Sequence, residues 1–233
     1  MEFSIDRLHR EVRVLKILVA VLSGLFILFL FLAFTQMSEK DEIIRVKGII
    51  VQDESGNDRI LIGAPVPDSK NRIRSNFEQA QTAWGKRYPR FDWYKGLNNA
   101  TNGIVILDDK GFDRLAIGDP VPDPNIGKRI AASSGIVIND KEGFERTGWG
   151  FFPEKNRVVL GLDDDKGMEG ATLSILEDGN VGLSINAGKR SIYLGNAPPK
   201  SFTTDLPGSF HGLLIRDSSE VMYKMNSFER QRE

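Results

Sequence analysis

The chain has 233 residues, a formal net charge of −1 at pH 7, no cysteine and two histidines, His9 and His211. The balanced charge excludes a strong attraction to nucleic acid, and the missing thiols exclude disulfides, cysteine nucleophiles and cysteine-ligated zinc. A site with two imidazoles would need a residue from each end of the chain, which disfavours a histidine-ligated cofactor. From the missing ligands we predict no cofactor, and from the balanced charge we predict no nucleic-acid partner.

The first hydrophobic element is a long apolar run near the N-terminus. Residues 17–34 contain no charged side chain, and at ~1.5 Å per residue a helix over this run spans about 27 Å of hydrocarbon. The bulky side chains of Phe29, Phe31 and Phe34 stand where a cleaved signal peptide would carry small residues. The run therefore predicts a retained transmembrane helix in contact with the lipid bilayer, and a cleaved signal peptide is the alternative.

The flanks of this run indicate its orientation. Lysine and arginine are slightly more numerous before the run than in the predicted juxtamembrane linker, residues 35–47, that follows it. This excess favours a cytoplasmic N-terminus and a single-pass cell-membrane protein whose C-terminal domain lies outside the cytoplasm. Residues 1–16 form a short cytoplasmic amphipathic segment, which either pairs with a second copy or lies on the headgroups. Its apolar side chains are Ile5, Leu8, Val12 and Leu15.

The rest of the chain, residues 48–233, repeats itself. The segment 48–68, GIIVQDESGNDRILIGAPVPD, returns without a gap as 103–123, GIVILDDKGFDRLAIGDPVPD. A third copy opens at Gly135 and a shorter fragment opens at Gly212. The repetition indicates one structural unit that is used several times.

Each repeat has the pattern of a β-hairpin. A run of branched apolar residues predicts a strand, and the Asp-x-x-Gly that follows it predicts the turn. In such a turn the carboxylate accepts hydrogen bonds from nearby amides, and the glycine adopts the left-handed backbone conformation. The turn residues are Asp53 and Gly56, Asp108 and Gly111, and Asp140 and Gly143. We therefore predict an N-terminal transmembrane α-helix followed by an extracytoplasmic all-β domain of repeated hairpins, arranged as an elongated sandwich, a roll or a solenoid-like array.

An insertion at residues 69–101 interrupts the first repeat and is rich in aromatic and basic residues. Long loops in compact domains carry function or are disordered, and the aromatic content argues against disorder. Rings interleaved with cations can bind a partner protein, a glycan or lipid; alternatively, the rings cap the open end of the β array. The candidate partner-binding residues are Trp84, Lys86, Arg87, Tyr88, Arg90, Phe91, Trp93 and Tyr94.

The remaining candidates for chemistry are carboxylates and one histidine. The acidic run Asp163, Asp164 and Asp165 could supply calcium ligands, although the EF-hand spacing is absent and turn formation explains the same acids. Ser209 and His211 could form part of a hydrolase site, but a surface histidine is the expected role. We predict no catalytic residue.

Two functions remain open. The favoured one is a non-enzymatic, membrane-anchored module for envelope interaction, scaffolding or an accessory subunit, which binds a protein partner or its own copies. The alternative is a membrane-tethered envelope enzyme that acts on glycans through clustered carboxylates. The enzyme requires that the acids at 163–165 converge with another carboxylate in a cleft beside residues 84–94.

Overall fold

The computed structural model describes residues 5–37, 44–88, 90–218 and 220–227. The chain separates into two units, Met1–Val46 and Lys47–Glu233. Part of the predicted linker, residues 38–43, lies outside the described residues.

The first unit contains one helix, α1 (Ile5–Met37). The stretch Arg7–Leu32 contains an apolar segment with a mean hydropathy of 2.8, and none of that segment is buried. It is the one helix in the described part of the chain that is long and apolar enough to cross a membrane. The helix is continuous through the predicted span at 17–34 and includes most of the amphipathic segment that precedes it.

The second unit is a single open antiparallel sheet of twelve strands, in which each strand pairs with its neighbours in sequence. The predicted all-β region of hairpins is therefore present, and all twelve strands belong to one hydrogen-bonded sheet. The strands are β1 (Gly48–Gln52), β2 (Asp58–Gly63), β3 (Gly103–Leu107), β4 (Asp113–Gly118), β5 (Ser134–Asn139), β6 (Glu145–Phe152), β7 (Arg157–Asp163), β8 (Glu169–Ile175), β9 (Val181–Ala187), β10 (Arg190–Ala197), β11 (Phe210–Asp217) and β12 (Glu220–Asn226). The remaining elements are helix α2 (Phe77–Trp84) and the 3-10 turns Ile73–Ser75, Phe91–Gly96 and Pro153–Lys155.

The Asp-x-x-Gly segments form the hairpin turns. In the β1–β2 turn, the carboxylate of Asp53 accepts hydrogen bonds from the backbone N–H of Ser55 at 2.9 Å and of Asn57 at 3.0 Å. Gly56 closes the turn with a φ of +79°, a conformation that favours glycine. The same pair of bonds recurs in the next hairpins at Asp108, Asp140 and Asp164. The turn at Asp164 belongs to β7–β8, so this type of turn also occurs in a hairpin that the sequence comparison of the repeats did not include.

A row of arginines ties each hairpin to the next. Arg59, at the start of β2, donates its Nε–H to the backbone carbonyl of Leu107 at the end of β3, at 3.1 Å. The strand register shifts between Ile106 and Leu107, so the guanidinium satisfies a carbonyl at an irregular point of the ladder. One and two hairpins later, Arg114 bonds to Asn139 and Arg146 bonds to Asp163 in the same way. The Nε–H groups of these three arginines are therefore used in hydrogen bonds within the sheet.

One face of the sheet, which we call the covered face, carries the core. The longer connecting segments pack against it: Arg129, after β4, pairs with Glu145 of β6 at 2.8 Å, and Ser201, after β10, accepts a hydrogen bond from Asn180 at 2.7 Å. Apolar side chains are buried on this face near both ends of the sheet, but none is buried at its centre, where many positions are small or polar. The first core cluster comprises Leu61, Val66, Val105, Leu107 and Ala116, and the second comprises Tyr193, Ala197, Phe210 and Leu214. In register between them lie Gly148, Gly161, Thr172 and Ser184.

Candidate functional site

The aromatic insertion at 69–101 folds onto the protein itself. Trp84, Phe91 and Tyr94 are only 3%, 5% and 2% exposed and form a core cluster of their own. The rings of Phe91 and Tyr94 stack with their centroids 4.8 Å apart. Asn76 starts α2 by accepting the backbone N–H of Glu78 at 3.0 Å, which positions Trp84 at the other end of the helix. These three rings are therefore used in the protein's own packing and are not exposed to a partner. That they cap the open end of the β array stays a prediction.

The other candidate residues of the insertion are more accessible. Trp93 is 37% exposed, and its ring contacts the half-buried Tyr88 edge to face at a centroid distance of 5.7 Å. Arg87 lies over the ring of Phe144 at 4.4 Å. The exposed members form what we call the insertion patch, which consists of Lys86, Arg87, Arg90 and Trp93. The prediction that the insertion binds a partner therefore now concerns only this patch.

The acidic run at 163–165 is divided between a strand and a turn. The carboxylate of Asp164 accepts the backbone N–H of Lys166 at 2.8 Å and of Met168 at 2.9 Å, and these bonds hold its pKa below the usual value. Asp165 is exposed beside it. Over the described residues, no group of three or more His, Cys, Asp or Glu side chains is placed to hold a metal ion.

Asp163 lines a small cleft of about 180 Å³ together with Glu145 and Glu169. Burial raises the pKa of Asp163, and the negative charges of Glu145 and Glu169 raise it further. Glu145 is paired with Arg129 at 2.8 Å. The described residues of 84–94 do not line the cleft. Carboxylates thus converge around Asp163, but they do so away from the aromatic segment.

The face opposite to the covered face, which we call the open face, carries two rows of side chains that cross all strands. Residues directly opposite each other in neighbouring strands share a face, so the pairing register defines these rows. The first row is Ile49, Ile62, Ile104, Ile117, Ile136, Trp149, Leu160, Leu173, Leu183, Leu194, Leu213 and Met225. The second row is Val51, Ile60, Ile106, Leu115, Ile138, Thr147, Leu162, Ala171, Ile185, Ile192, Ile215 and Tyr223.

The open face is accessible to solvent and has no charge in either row. Trp149 is 60% exposed, Leu173 53% and Leu162 50%. Twelve strands about 4.8 Å apart span about 58 Å, and two rows that are each about 7 Å wide span about 14 Å, so together they outline a footprint of about 800 Å². Monomeric soluble proteins rarely expose a contiguous apolar patch larger than about 300–600 Å². The open face is therefore the strongest candidate functional surface of the described chain.

Sequence reasoning missed the open face although its signal is present. The strands from β7 to β10 alternate large apolar residues with small or polar ones, as in Leu160-Gly161-Leu162 and Leu183-Ser184-Ile185. Such alternation is typical of a strand with one buried face, and here the apolar side is the exposed one. Comparison of the chain with protein-family models, curated proteins and solved structures found no match.

Proposed function

We propose that this protein is a single-pass membrane-anchored, non-enzymatic interaction module whose open face docks against another protein surface. The observation that carries this proposal is the charge-free double row of apolar side chains with Trp149 and Leu173 exposed in it. Exposed apolar surface of this extent is stabilised when a second surface excludes water from it. The module acts as a scaffold or accessory subunit held beside a membrane.

The anchor is the apolar part of α1. Arg7–Leu32 is long enough to span a bilayer, and its exposed side chains are suited to a lipid environment. The basic residues before the run favour a cytoplasmic N-terminus and an extracytoplasmic sheet. Phe29 and Phe31 favour a retained anchor over a cleaved signal peptide.

Membrane fractionation and protease accessibility test the anchor. The full chain should stay in the membrane after alkaline carbonate extraction, and protease outside intact cells or spheroplasts should digest the sheet unit while an N-terminal tag stays protected. Recovery of a shortened, soluble chain would identify a cleaved signal peptide. Protection of the sheet with digestion of the tag would reverse the topology.

Thiol labelling in native membranes tests the docking. The chain has no cysteine, so Leu173→Cys introduces a single thiol on the open face. Phe202→Cys provides the control, because Phe202 is 97% exposed and lies outside both rows of the open face. A polar maleimide should label Leu173→Cys at least tenfold more slowly than Phe202→Cys in membranes, and at an equal rate after denaturation. Equal rates in native membranes would show that the open face is uncovered and would refute the proposal.

A glycan-processing enzyme is the second candidate, and the cleft at Asp163 is the observation that favours it. A carboxyl with a raised pKa is suited to general acid catalysis. The cleft that Asp163 lines has a volume of about 180 Å³, below the range of about 300–1,000 Å³ that is usual for ligand sites. A wider groove of about 760 Å³ adjoins it through Phe152, Val159 and Glu169, but Asp163 does not line that groove. The pairing of Glu145 with Arg129 also occupies one of the two carboxylates beside Asp163. We therefore rank this function below the interaction module.

A further inference from the structure

We infer that the surface which covers the open face is a second copy of this chain, so that two sheets pack face to face. This inference rests on the proposed function and names its partner. It is carried by four features of the molecule: the missing core of the central strands, the self-complementary chemistry of the face, its size, and the charge along its margin.

The central strands lack a core of their own. All residues between Val137 and Tyr193 are described, and no apolar side chain among them is buried. On the covered face, these strands present Gly148, Gly161 and Thr172, and their larger apolar side chains there, Phe152 and Val159, are only half-buried. Sheets need an apolar face packed against another layer to be stable, so the central strands require a layer that the described residues do not supply.

The open face is complementary to itself. In a two-fold symmetric pair, the same patch meets itself, so any charge in the patch would be brought close to its own equivalent. The two rows of the open face hold no charge, and their polar members, Thr147 and Tyr223, are confined to the second row. The hydroxyl of Thr147 already donates to the backbone carbonyl of Gly161 at 2.8 Å. Rows of branched aliphatic side chains on twisted sheets interdigitate when two such sheets pack at a separation of about 10 Å.

The size of the face fits a stable pair. A footprint of about 800 Å² on each copy corresponds to about 1,600 Å² of total buried surface, which is the standard size of a specific protein–protein interface. A different protein would have to present an equally long, charge-free apolar strip, whereas every copy of this chain already presents one. Anchoring in one membrane raises the effective concentration of copies near each other. Leu8, Val12 and Leu15 form a short apolar seam on α1, which is suited to side-by-side copies.

The charge along the margin of the sheet disfavours a lipid surface as the occupant. The turns that follow β1, β3, β5 and β7 lie along one margin, and in each Asp-x-x-Gly turn the carboxylates outnumber the lysines. The acidic excess of these turns repels anionic headgroups. Arg59 and Arg114, which follow two of these turns, direct their Nε–H groups at backbone carbonyls of the sheet.

The mass of the purified full-length chain tests this inference. In a mild detergent or in nanodiscs, native mass spectrometry or light scattering should find two copies per particle. Leu173→Lys places a charge in the first row and should convert the pair to single copies. Phe202→Lys is the matched control and should leave two copies, because Phe202 lies outside the rows. Neither substitution removes a buried side chain, since Leu173 and Phe202 are 53% and 97% exposed. Circular dichroism should therefore show the same strand content in both variants.

The outcomes separate this inference from the proposed function. A wild-type chain that is single, while its Leu173→Cys thiol is protected in membranes, would overturn the second copy and leave the interaction module standing with another protein or retained lipid as its occupant. A pair that survives Leu173→Lys would assign the association to α1 and would also overturn the inference.

Discussion

The indole of Trp84 donates a hydrogen bond of 2.8 Å to the backbone carbonyl of Glu142, 58 residues further along the chain. Glu142 lies in the β5–β6 turn, and the same indole packs against Phe112 of the β3–β4 turn at a centroid distance of 5.9 Å. One side chain of the insertion therefore holds two consecutive hairpins together. The insertion acts as a strap across the turns on which the repeat is built.

Truncation of the two tryptophans of the insertion should have unequal effects. Trp84→Ala removes a buried ring and its hydrogen bond, and should lower the free energy of unfolding by about 3–5 kcal/mol. Trp93→Ala removes a partly exposed ring and should cost about 1 kcal/mol. Urea unfolding of the full chain, followed by circular dichroism, measures both values. If the insertion patch binds a partner, Trp93→Ala alone should weaken recovery of that partner at equal amounts of folded protein. Similar losses of stability would contradict the strap.

Two turn glycines should differ in their tolerance of a side chain. Gly111 and Gly179 have φ values of +89° and +87°, so alanine costs about 1–2 kcal/mol at either position. A Cβ on Gly111 would also lie 1.7 Å from the backbone oxygen of Asn71 in the strap, whereas nothing lies within 4 Å of a Cβ on Gly179. Gly111→Ala should therefore destabilise the sheet by about 2 kcal/mol more than Gly179→Ala does. Thermal unfolding of the two variants side by side measures the difference, and equal midpoints would show that the strap moves away without cost.

The buried carboxylate of Asp113 should be essential for stability. Arg72 binds it through two nitrogens at 2.9 and 2.6 Å, and the Asp113 side chain is 2% exposed. Asp113→Asn leaves the buried guanidinium groups of Arg72 and Arg74 without a counter-charge and should cost about 3–5 kcal/mol at neutral pH. Asp109→Asn, at an exposed turn position, should change stability by less than about 0.5 kcal/mol. Denaturant titration of both variants makes the comparison, and a similar small effect in both would contradict it.

The same ion pair predicts how stability falls in acid. Burial alone would raise the pKa of Asp113, but the guanidinium groups of Arg72 and Arg74 hold it below the usual value. The unfolded chain therefore takes up this proton at the ordinary pKa of about 3.9, before the folded chain does. The stabilisation of the folded state by ionised Asp113 is therefore complete above that pH. It is lost as the pH falls towards the pKa of Asp113 in the folded chain. Unfolding midpoints measured from pH 7 to pH 2 should fall more steeply for the wild type than for Asp113→Asn.

Asp163 should show the opposite dependence on pH. Its pKa is raised by burial and by Glu145 and Glu169, so the folded state favours the protonated carboxyl. The stabilisation is complete below the ordinary pKa and is lost as the pH rises through the folded value. Asp163→Asn should therefore stabilise the protein at pH 7, by less than about 1 kcal/mol because the site is partly open to solvent, and should have no stabilising effect at pH 3. Melting temperatures at the two pH values measure this, and a variant that is less stable than the wild type at pH 7 would contradict it.

The local elements of the structure could be predicted from the sequence because their interactions close over a few residues. The turn at Asp108 is an example, since its carboxylate bonds to amides two and four residues further on. The apolar run at 17–34 indicated a long helix because its uniform hydropathy does not depend on any distant contact. The 55-residue register of the first two repeats likewise predicted that their hairpins are built alike.

Only the tertiary structure decided which side chains are covered. Trp84 and Trp93 lie in the same aromatic and basic insertion, yet one is 3% and the other 37% exposed. The path of the insertion depends on contacts such as that of Arg72 with Asp113, 41 residues apart. The two faces of the sheet were undecided for the same reason. Alternation places Leu183 and Ser184 on opposite faces, but the pattern is the same whether the apolar face is covered by its own chain or by another. Which face is covered depends on where the connecting segments cross the sheet. In this protein they cross the face opposite to the two apolar rows.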